Sequence, residues 1–249
     1  MGKITWRMRV FVCTMILSLL LSTNLAYAAS APAPYYAALG DSIAFGIGAT
    51  GWKGYVPRLK SYMTGATLSN QSFPGDKSSQ LLSKIKSNLF TRAALKKATV
   101  ITISIGGNNL LGCASSNYTV INAACAEAGI AGFSSDLPNI LKEIRNLNPS
   151  APIVLMTLYN PYLKNDSNYL TADGYITRIN NIMNDTLNNG AAKIAYNYST
   201  VDVYGSFGSG VNGDTCKLTH FCESTRDPHP KDAGHQLIAD LHAILMKLK

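Results

Sequence analysis

"AALGDSIAFG", residues 37–46, places an acid and a hydroxyl, Asp41 and Ser42, between Gly40 and Gly46, directly after a short apolar run. A polar, glycine-bounded turn after a strand-length apolar segment marks a strand handing over to a helix. Two readings of Ser42 compete. In the first it is a nucleophile presented at the end of a strand. In the second, Asp41 and Ser42 only cap the next helix, which both residue types do well.

The remainder of the chain repeats the same alternation. Strand-length apolar runs fall at Tyr35–Leu39, Ala66–Asn70, Val100–Ile105, Ile153–Thr157 and Lys193–Tyr198, with amphipathic helical patterns between them. In one helix, expected over Asp173–Asn188, Ile176, Ile179, Met183 and Leu187 recur at helical spacing; Leu237, Leu241, Ile244, Leu245 and Leu248 do so at the C-terminus. Alternating βαβ units imply an α/β fold on a parallel sheet, whose ligand crevice lies at the carboxyl ends of the strands. Three polar, glycine-bearing turns follow the first three strands: Asp41–Ser42, "NQSFPG" (Asn70–Gly75) and "GGNN" (Gly106–Asn109). Helix capping accounts for the first turn but not for the other two.

Residues 1–28 read as an address. Lys3, Arg7 and Arg9 form a basic start, Val10–Leu21 is almost wholly apolar, and "AYA" (Ala26–Ala28) supplies small residues before a cut. The alternative, a membrane anchor, is disfavoured because Ser22, Thr23 and Asn24 interrupt the run short of the roughly 20 residues a span needs. A secreted chain cleaved after Ala28 is expected, with a short extended tether at residues 29–34, a single domain over residues 35–249 and no later membrane span. Losing those three basic residues takes the formal charge from +8 to about +5. The excess is scattered, with no basic stripe interleaved with aromatics, so nucleic acid is not an expected partner.

Four cysteines remain after that cut: Cys113, Cys125, Cys216 and Cys222. In an exported chain they suggest two disulfides, and proximity pairs Cys113 with Cys125 and Cys216 with Cys222; two other connectivities stay open. "CKLTHFC" also admits a zinc reading through Cys216, His220 and Cys222, against which stand the oxidising compartment and the unfamiliar spacing.

One more block, "DPHPKDAGH" (Asp227–His235), precedes the final helix. The order Gly-Asp-Ser, Asn-x-Ser-x-Pro-Gly, Gly-Gly-Asn and Asp-x-His-Pro resembles the SGNH hydrolases, also called the GDSL esterase/lipase family, over essentially the whole chain after the leader. The resemblance implies a three-layer α/β/α sandwich with a flavodoxin-like parallel sheet, and hydrolysis of carboxylic esters, thioesters or sugar-bound acetyl groups with no cofactor and no metal. It assigns Ser42 as nucleophile and His229 as base. It gives the oxyanion hole to the backbone N–H groups of Ser42 and Gly75 and the side-chain amide of Asn108. A serine hydroxyl is a weak nucleophile until an imidazole accepts its proton, and preorganised donors stabilise the tetrahedral oxyanion. Glycine at position 75 is expected to let the backbone approach the substrate closely.

The sequence departs from the family pattern at three places. Ile43 replaces the leucine of GDSL, Asn109 stands where many members carry aspartate, and Arg226 occupies the usual place of the acid, three residues before the histidine. Asp227, two residues before His229, is then the orienting acid of a triad; the alternative is a Ser42–His229 dyad oriented by a backbone carbonyl. His235 is a competing base at a helix start, and His220 and His242 lack a supporting motif.

The expected activity is that of a serine ester hydrolase, an esterase or lipase acting on small-molecule or lipid esters. A carbohydrate or cell-wall O-acetyl esterase on acylated sugars would use the same residues, and a non-catalytic surface-binding protein is a third reading. Phe45, Trp52 and Tyr159 are candidates to line an acyl groove.

Overall fold

The computed structural model describes residues 33–208 and 214–249. The expected leader and most of the tether lie outside the described residues. Five parallel strands, β1 (Tyr35–Gly40), β2 (Thr67–Asn70), β3 (Val100–Ser104), β4 (Ile153–Met156) and β5 (Tyr198–Val201), form one sheet in the order β2-β1-β3-β4-β5. That is the doubly wound, flavodoxin-like order.

Alternation along each strand divides the core in two. Ala37, Leu39, Ile101, Ile103, Ile153 and Leu155 face helices Ser78–Ser87, Leu89–Lys97, Ala123–Leu147 and Tyr169–Asn184, with Leu81, Leu95, Phe133 and Ile179 buried against them. Tyr36, Ala38, Val154 and Met156 face the opposite way, onto helices Tyr55–Ser61 and Asp232–Leu245. Period-2 strands with both faces covered give the α/β/α sandwich. Its crossover order reverses at β1 and β3, so the carboxyl ends of those strands border the ligand crevice.

Two expectations shift by part of an element. The last strand is "YSTV" (Tyr198–Val201), whereas Lys193 lies in a short helix, Ala191–Ala195. Thr200 and Val201 supply the β-branched residues that a pleated surface favours. The helix expected over Asp173–Asn188 runs instead from Tyr169 to Asn184, where Asp185 adopts φ +54 and ends it; Leu187 is left exposed. In helix Asp232–Leu245 the fully buried stripe is His235, Ile238, Ala239, His242 and Ala243, while Ile244 and Leu245 are exposed. Two histidines thus occupy core positions that the leucine pattern assigned to its neighbours.

Cys113 pairs with Cys125 and Cys216 with Cys222, with Cα atoms 5.4 and 5.2 Å apart. The sulfurs of Cys216 and Cys222 are therefore committed to each other, which removes the zinc reading. No helix among the described residues is long and apolar enough to cross a membrane.

Candidate active site

β1 ends in Gly40, whose φ is +132 and whose Cα lies so close to β3 that a Cβ would sit 2.0 Å from the Ser104 carbonyl oxygen. The chain can therefore turn sharply into helix Ser42–Phe45. Asp41 caps that helix, its Oδ1 accepting the Ile43 N–H at 3.1 Å. The capping reading of the opening motif thus belongs to Asp41. Ser42 stands in the first turn with its hydroxyl directed elsewhere.

Ser42 Oγ lies 2.8 Å from His229 Nε2, and His229 Nδ1 lies 2.5 Å from Asp227 Oδ1. With Nδ1 protonated toward the carboxylate, Nε2 turns its lone pair to the Ser42 hydroxyl. The two-residue spacing works because the same Oδ1 also accepts the His229 backbone N–H at 3.0 Å. Asp227 and His229 thus form an Asx-turn around Pro228, which folds the carboxylate back onto the ring. The hydrogen bond from His229 holds the Asp227 carboxyl below the usual carboxylate range, against an opposing desolvation effect.

Gly75 sits in a turn closed by the Asp76 N–H on the Phe73 carbonyl at 3.2 Å, with φ +85. Pro74 and Gly75 are the central pair, the type II pattern that demands positive φ at the second position. A Cβ at Gly75 would meet no protein atom within 4 Å. Backbone conformation, rather than crowding within the protein, is thus why glycine stands here. Asn108 donates from Nδ2 to the Asp76 carbonyl at 3.0 Å, which ties the third turn to the second and leaves the amide its other N–H. Asn109 is buried and structural: Oδ1 accepts the Ser78 N–H at 3.1 Å, and Nδ2 donates to Ser78 Oγ at 2.9 Å and the Gly129 carbonyl at 3.2 Å.

The other histidines are engaged elsewhere. His235 accepts the Tyr55 N–H at Nδ1, 3.1 Å, and donates from Nε2 to the Ile47 carbonyl, 2.9 Å. Burial brings it down to about 4, and does the same to His242. Neither faces Ser42 within hydrogen-bond reach. His220 bridges the Gly48 carbonyl at 3.0 Å and Glu223 at 2.9 Å. Its backbone N–H donates to the His229 carbonyl at 3.0 Å, so the Cys216–Cys222 loop braces the segment that carries His229.

Four supporting groups were not assigned from the sequence. Tyr159, named only as a groove candidate, donates its hydroxyl to the Pro228 carbonyl at 2.6 Å and stacks on Phe207 with centroids 4.5 Å apart. Asp41 is 2 % exposed; besides capping, it accepts the Ser104 hydroxyl at 3.1 Å, and burial pushes its carboxyl up to about 7. Asp76, buried beneath the Asn108 amide, pairs with Lys84 at 2.5 Å. Arg226 pairs with Asp166 at 2.5 Å and lays its guanidinium over the Phe221 ring at 4.5 Å, pinning the turn before Asp227. Of the four only Asp41 sits in a family block, and each acts through a neighbour distant in sequence.

A cleft opens beside this group. It encloses about 720 Å³ of atom-free space, partly open to solvent, and reaches the site at Ile43, Gly107 and Pro228, each adjacent in sequence to Ser42, Asn108 or His229. Tyr159 lines it. Phe45 and Trp52 do not: they pair edge to face, 5.6 Å apart, on the exposed surface.

An α/β/α sandwich carrying a serine, an imidazole and a carboxylate in line at the strand ends defines an ester-hydrolysing enzyme. The chain belongs to the GDSL-like Lipase/Acylhydrolase family, whose model matches residues 38–237. It is 26 % identical over 210 residues to the uncharacterized protein YpmR of Bacillus subtilis (strain 168), covering 82 % of this chain and 77 % of that one. Among solved structures it is similar to the lipase Lip_vut3 from a goat rumen metagenome, with TM-score 0.69, 22 % identity, and 87 % and 100 % of the two chains covered. It is also similar to an acetyl xylan esterase of Geobacillus stearothermophilus, with TM-score 0.59, 17 % identity, and 87 % and 95 % covered.

Proposed function

We propose that this protein is a secreted serine carboxylic-ester hydrolase acting through an acyl-enzyme on Ser42. The observation that carries the reading is the unbroken line of hydrogen bonds from Ser42 Oγ through His229 to Asp227. In this mechanism His229 Nε2 takes the serine proton as Oγ attacks the ester carbonyl, and Asp227 stabilises the imidazolium that results. The N–H groups of Ser42 and Gly75 and the free N–H of Asn108 receive the oxyanion. His229 then returns the proton to the leaving alcohol. Water, activated by the same imidazole, attacks the acyl-enzyme carbon and releases the acid and free Ser42.

Export rests on the leader pattern of residues 1–28 and on two disulfides, which persist in oxidising compartments. A fluorophosphonate probe tests the activated serine directly. The wild type should be labelled at Ser42 and hydrolyse p-nitrophenyl esters, and Ser42→Ala should be folded, unlabelled and inactive. A folded Ser42→Ala protein with near wild-type turnover refutes the reading. O-acetyl ester hydrolysis on a sugar is the second reading, supported by the architecture shared with the acetyl xylan esterase.

A further inference from the structure

The cleft beside Ser42 takes one of its walls from a single segment. Leu110, Leu111, Ala114, Tyr118, Ile121 and Ala126 all line it, and Cys113–Cys125 closes the loop that carries three of them. The opposite wall comes from the segment after β4 and from helix Tyr169–Asn184, with Leu158, Ala172 and Ile176. Among the described residues no charged side chain lines the space, and the only side-chain heteroatoms there are tyrosine hydroxyls and the thioether of Met156. One of those hydroxyls, Tyr159's, is already committed to Pro228. A sugar ring would leave most of its hydroxyls without partners here, whereas each methylene of an acyl chain removed from water is worth about fourfold in affinity.

The loop is fastened at more than its disulfide. Asn168 Nδ2 donates to the Thr119 carbonyl at 2.7 Å, an antiparallel bridge joins Ala114 to Ile121, and Tyr118 packs edge-on against Phe221 with centroids 5.6 Å apart. Phe221 belongs to the other disulfide-closed loop, Cys216–Cys222, whose backbone braces His229. The two crosslinks therefore serve different halves of the site. One holds the wall of the apolar cleft, the other the segment carrying the imidazole.

We propose that the Cys113–Cys125 loop is the specificity-determining wall of an acyl-chain site, making the preferred substrates esters of medium-length to long fatty acids, with the disulfide setting chain-length preference. This rests on the reading of Ser42 as nucleophile. In this proposal the ester carbonyl sits at Ser42 and the acyl chain enters the cleft, which meets the site at Ile43, Gly107 and Pro228 and is lined further in by Tyr118 and Ile176. Cutting the crosslink frees the wall while Ser42, His229 and Asp227, held by β1 and by the second loop, keep their contacts.

The test compares p-nitrophenyl acetate, butyrate, octanoate and laurate, which share a leaving group, on four proteins: wild type, Cys113→Ala/Cys125→Ala, Ala114→Phe and Cys216→Ala/Cys222→Ala. Wild-type kcat/KM should rise from acetate to octanoate. The octanoate-to-acetate ratio should fall by about tenfold or more in the first two variants, the equivalent of losing contact with between one and two methylenes. In the third variant all four esters should decline together. A wild type that prefers acetate, or variants that keep the wild-type ratio, overturns the proposal. If the Cys113→Ala/Cys125→Ala protein does not fold, Ala114→Phe, which narrows the cleft without opening the loop, decides alone. Fluorophosphonate labelling separates the two levels. A labelled wild type with a flat chain-length profile refutes the acyl wall only, and an unlabelled, inactive wild type refutes the nucleophile and the wall with it.

Discussion

Asp41→Asn isolates the energetic consequence of burying a carboxyl group next to Ser42. Asp41 is 2 % exposed, and desolvation raises its carboxyl from 3.8 to about 7 in the folded protein, despite hydrogen bonds from the Ile43 N–H and the Ser104 hydroxyl. A folded-state value above the unfolded one means that the native state binds the proton more tightly. The associated stability is complete below the unfolded value and is lost as pH rises toward 7, after which the curve is flat. A shift of about 3 pH units corresponds to about 4 kcal/mol across the whole interval, of which about 3 kcal/mol falls between pH ~5 and pH ~8.5. Asparagine carries no titrating group, so the stability of the variant relative to wild type should improve by that amount between the two pH values. For a domain of this size that is roughly 5 to 10 °C in relative Tm. Placing an amide where Oδ2 lies has its own packing and hydrogen-bond cost, but that cost does not vary with pH and cancels in the double difference. The assay is thermal or urea unfolding of both proteins at the two pH values. A difference that stays constant between them would refute the assignment of Asp41 as a buried, late-ionising carboxyl.

Asn108→Ala should lower kcat by about a hundredfold with little change in KM, since the free N–H of the amide is assigned to the oxyanion rather than to the ground-state carbonyl; steady-state kinetics showing a rise in KM alone would make Asn108 a substrate contact. Asp227→Asn should keep the Asx-turn, because a single oxygen, Oδ1, accepts both from the His229 backbone and from its ring. The charge facing the imidazolium is then lost, so kcat should fall by orders of magnitude, up to about 10⁴-fold, with circular dichroism unchanged; a rate within a few-fold of wild type would reduce the site to a dyad. Arg226→Ala removes the Asp166 pair and the guanidinium over Phe221, so it should lower Tm by several degrees while leaving kcat within about tenfold. A rate loss as large as that of Asp227→Asn, with Tm unmoved, would place Arg226 in the chemistry.

The sheet was legible because both signals that define it are local. Apolar runs alternate with helical patterns, and four of the strands, β1, β2, β3 and β4, lie where those runs place them to within a residue at either end. β5 was missed because the run chosen, Lys193–Tyr198, mixes a short helix with the start of the real strand, and the turn at Asn197, with φ +44, leaves no glycine or proline to mark it. The stripe of the last helix was read in part: Leu237, Leu241 and Leu248 pack against the core, whereas Ile244 and Leu245 are exposed. The leucine pattern gave histidine no place in the core, yet both ring nitrogens of His235 and Nδ1 of His242 find backbone partners inside. The strand-end turns could be read from their glycines and polar residues. Tyr159, Arg226 and Asp76 could not, because what they do depends on partners 69, 60 and 32 residues away.

The irregular acid shows where spacing stops being informative. Three residues between carboxylate and imidazole is one way to bring them together, and a count alone makes Arg226 a vacancy in the pattern. Geometry replaces the count with a turn. Arg226 takes a left-handed backbone conformation, φ +48, that only a few per cent of non-glycine residues adopt, and it is held there by Asp166 and Phe221. Asp227 then enters the turn with its side chain over Pro228, whose fixed φ limits the directions the chain can leave in, and whose carbonyl is anchored by Tyr159. Apart from Pro228, each restraint lies outside the Asp-x-His-Pro block, and together they allow two residues to do what three do elsewhere. It follows that the shorter spacing should not transplant by itself. In a related chain without counterparts of Arg226, Asp166 and Tyr159, moving the acid one place closer should separate it from the imidazole, and restoring those three should bring it back.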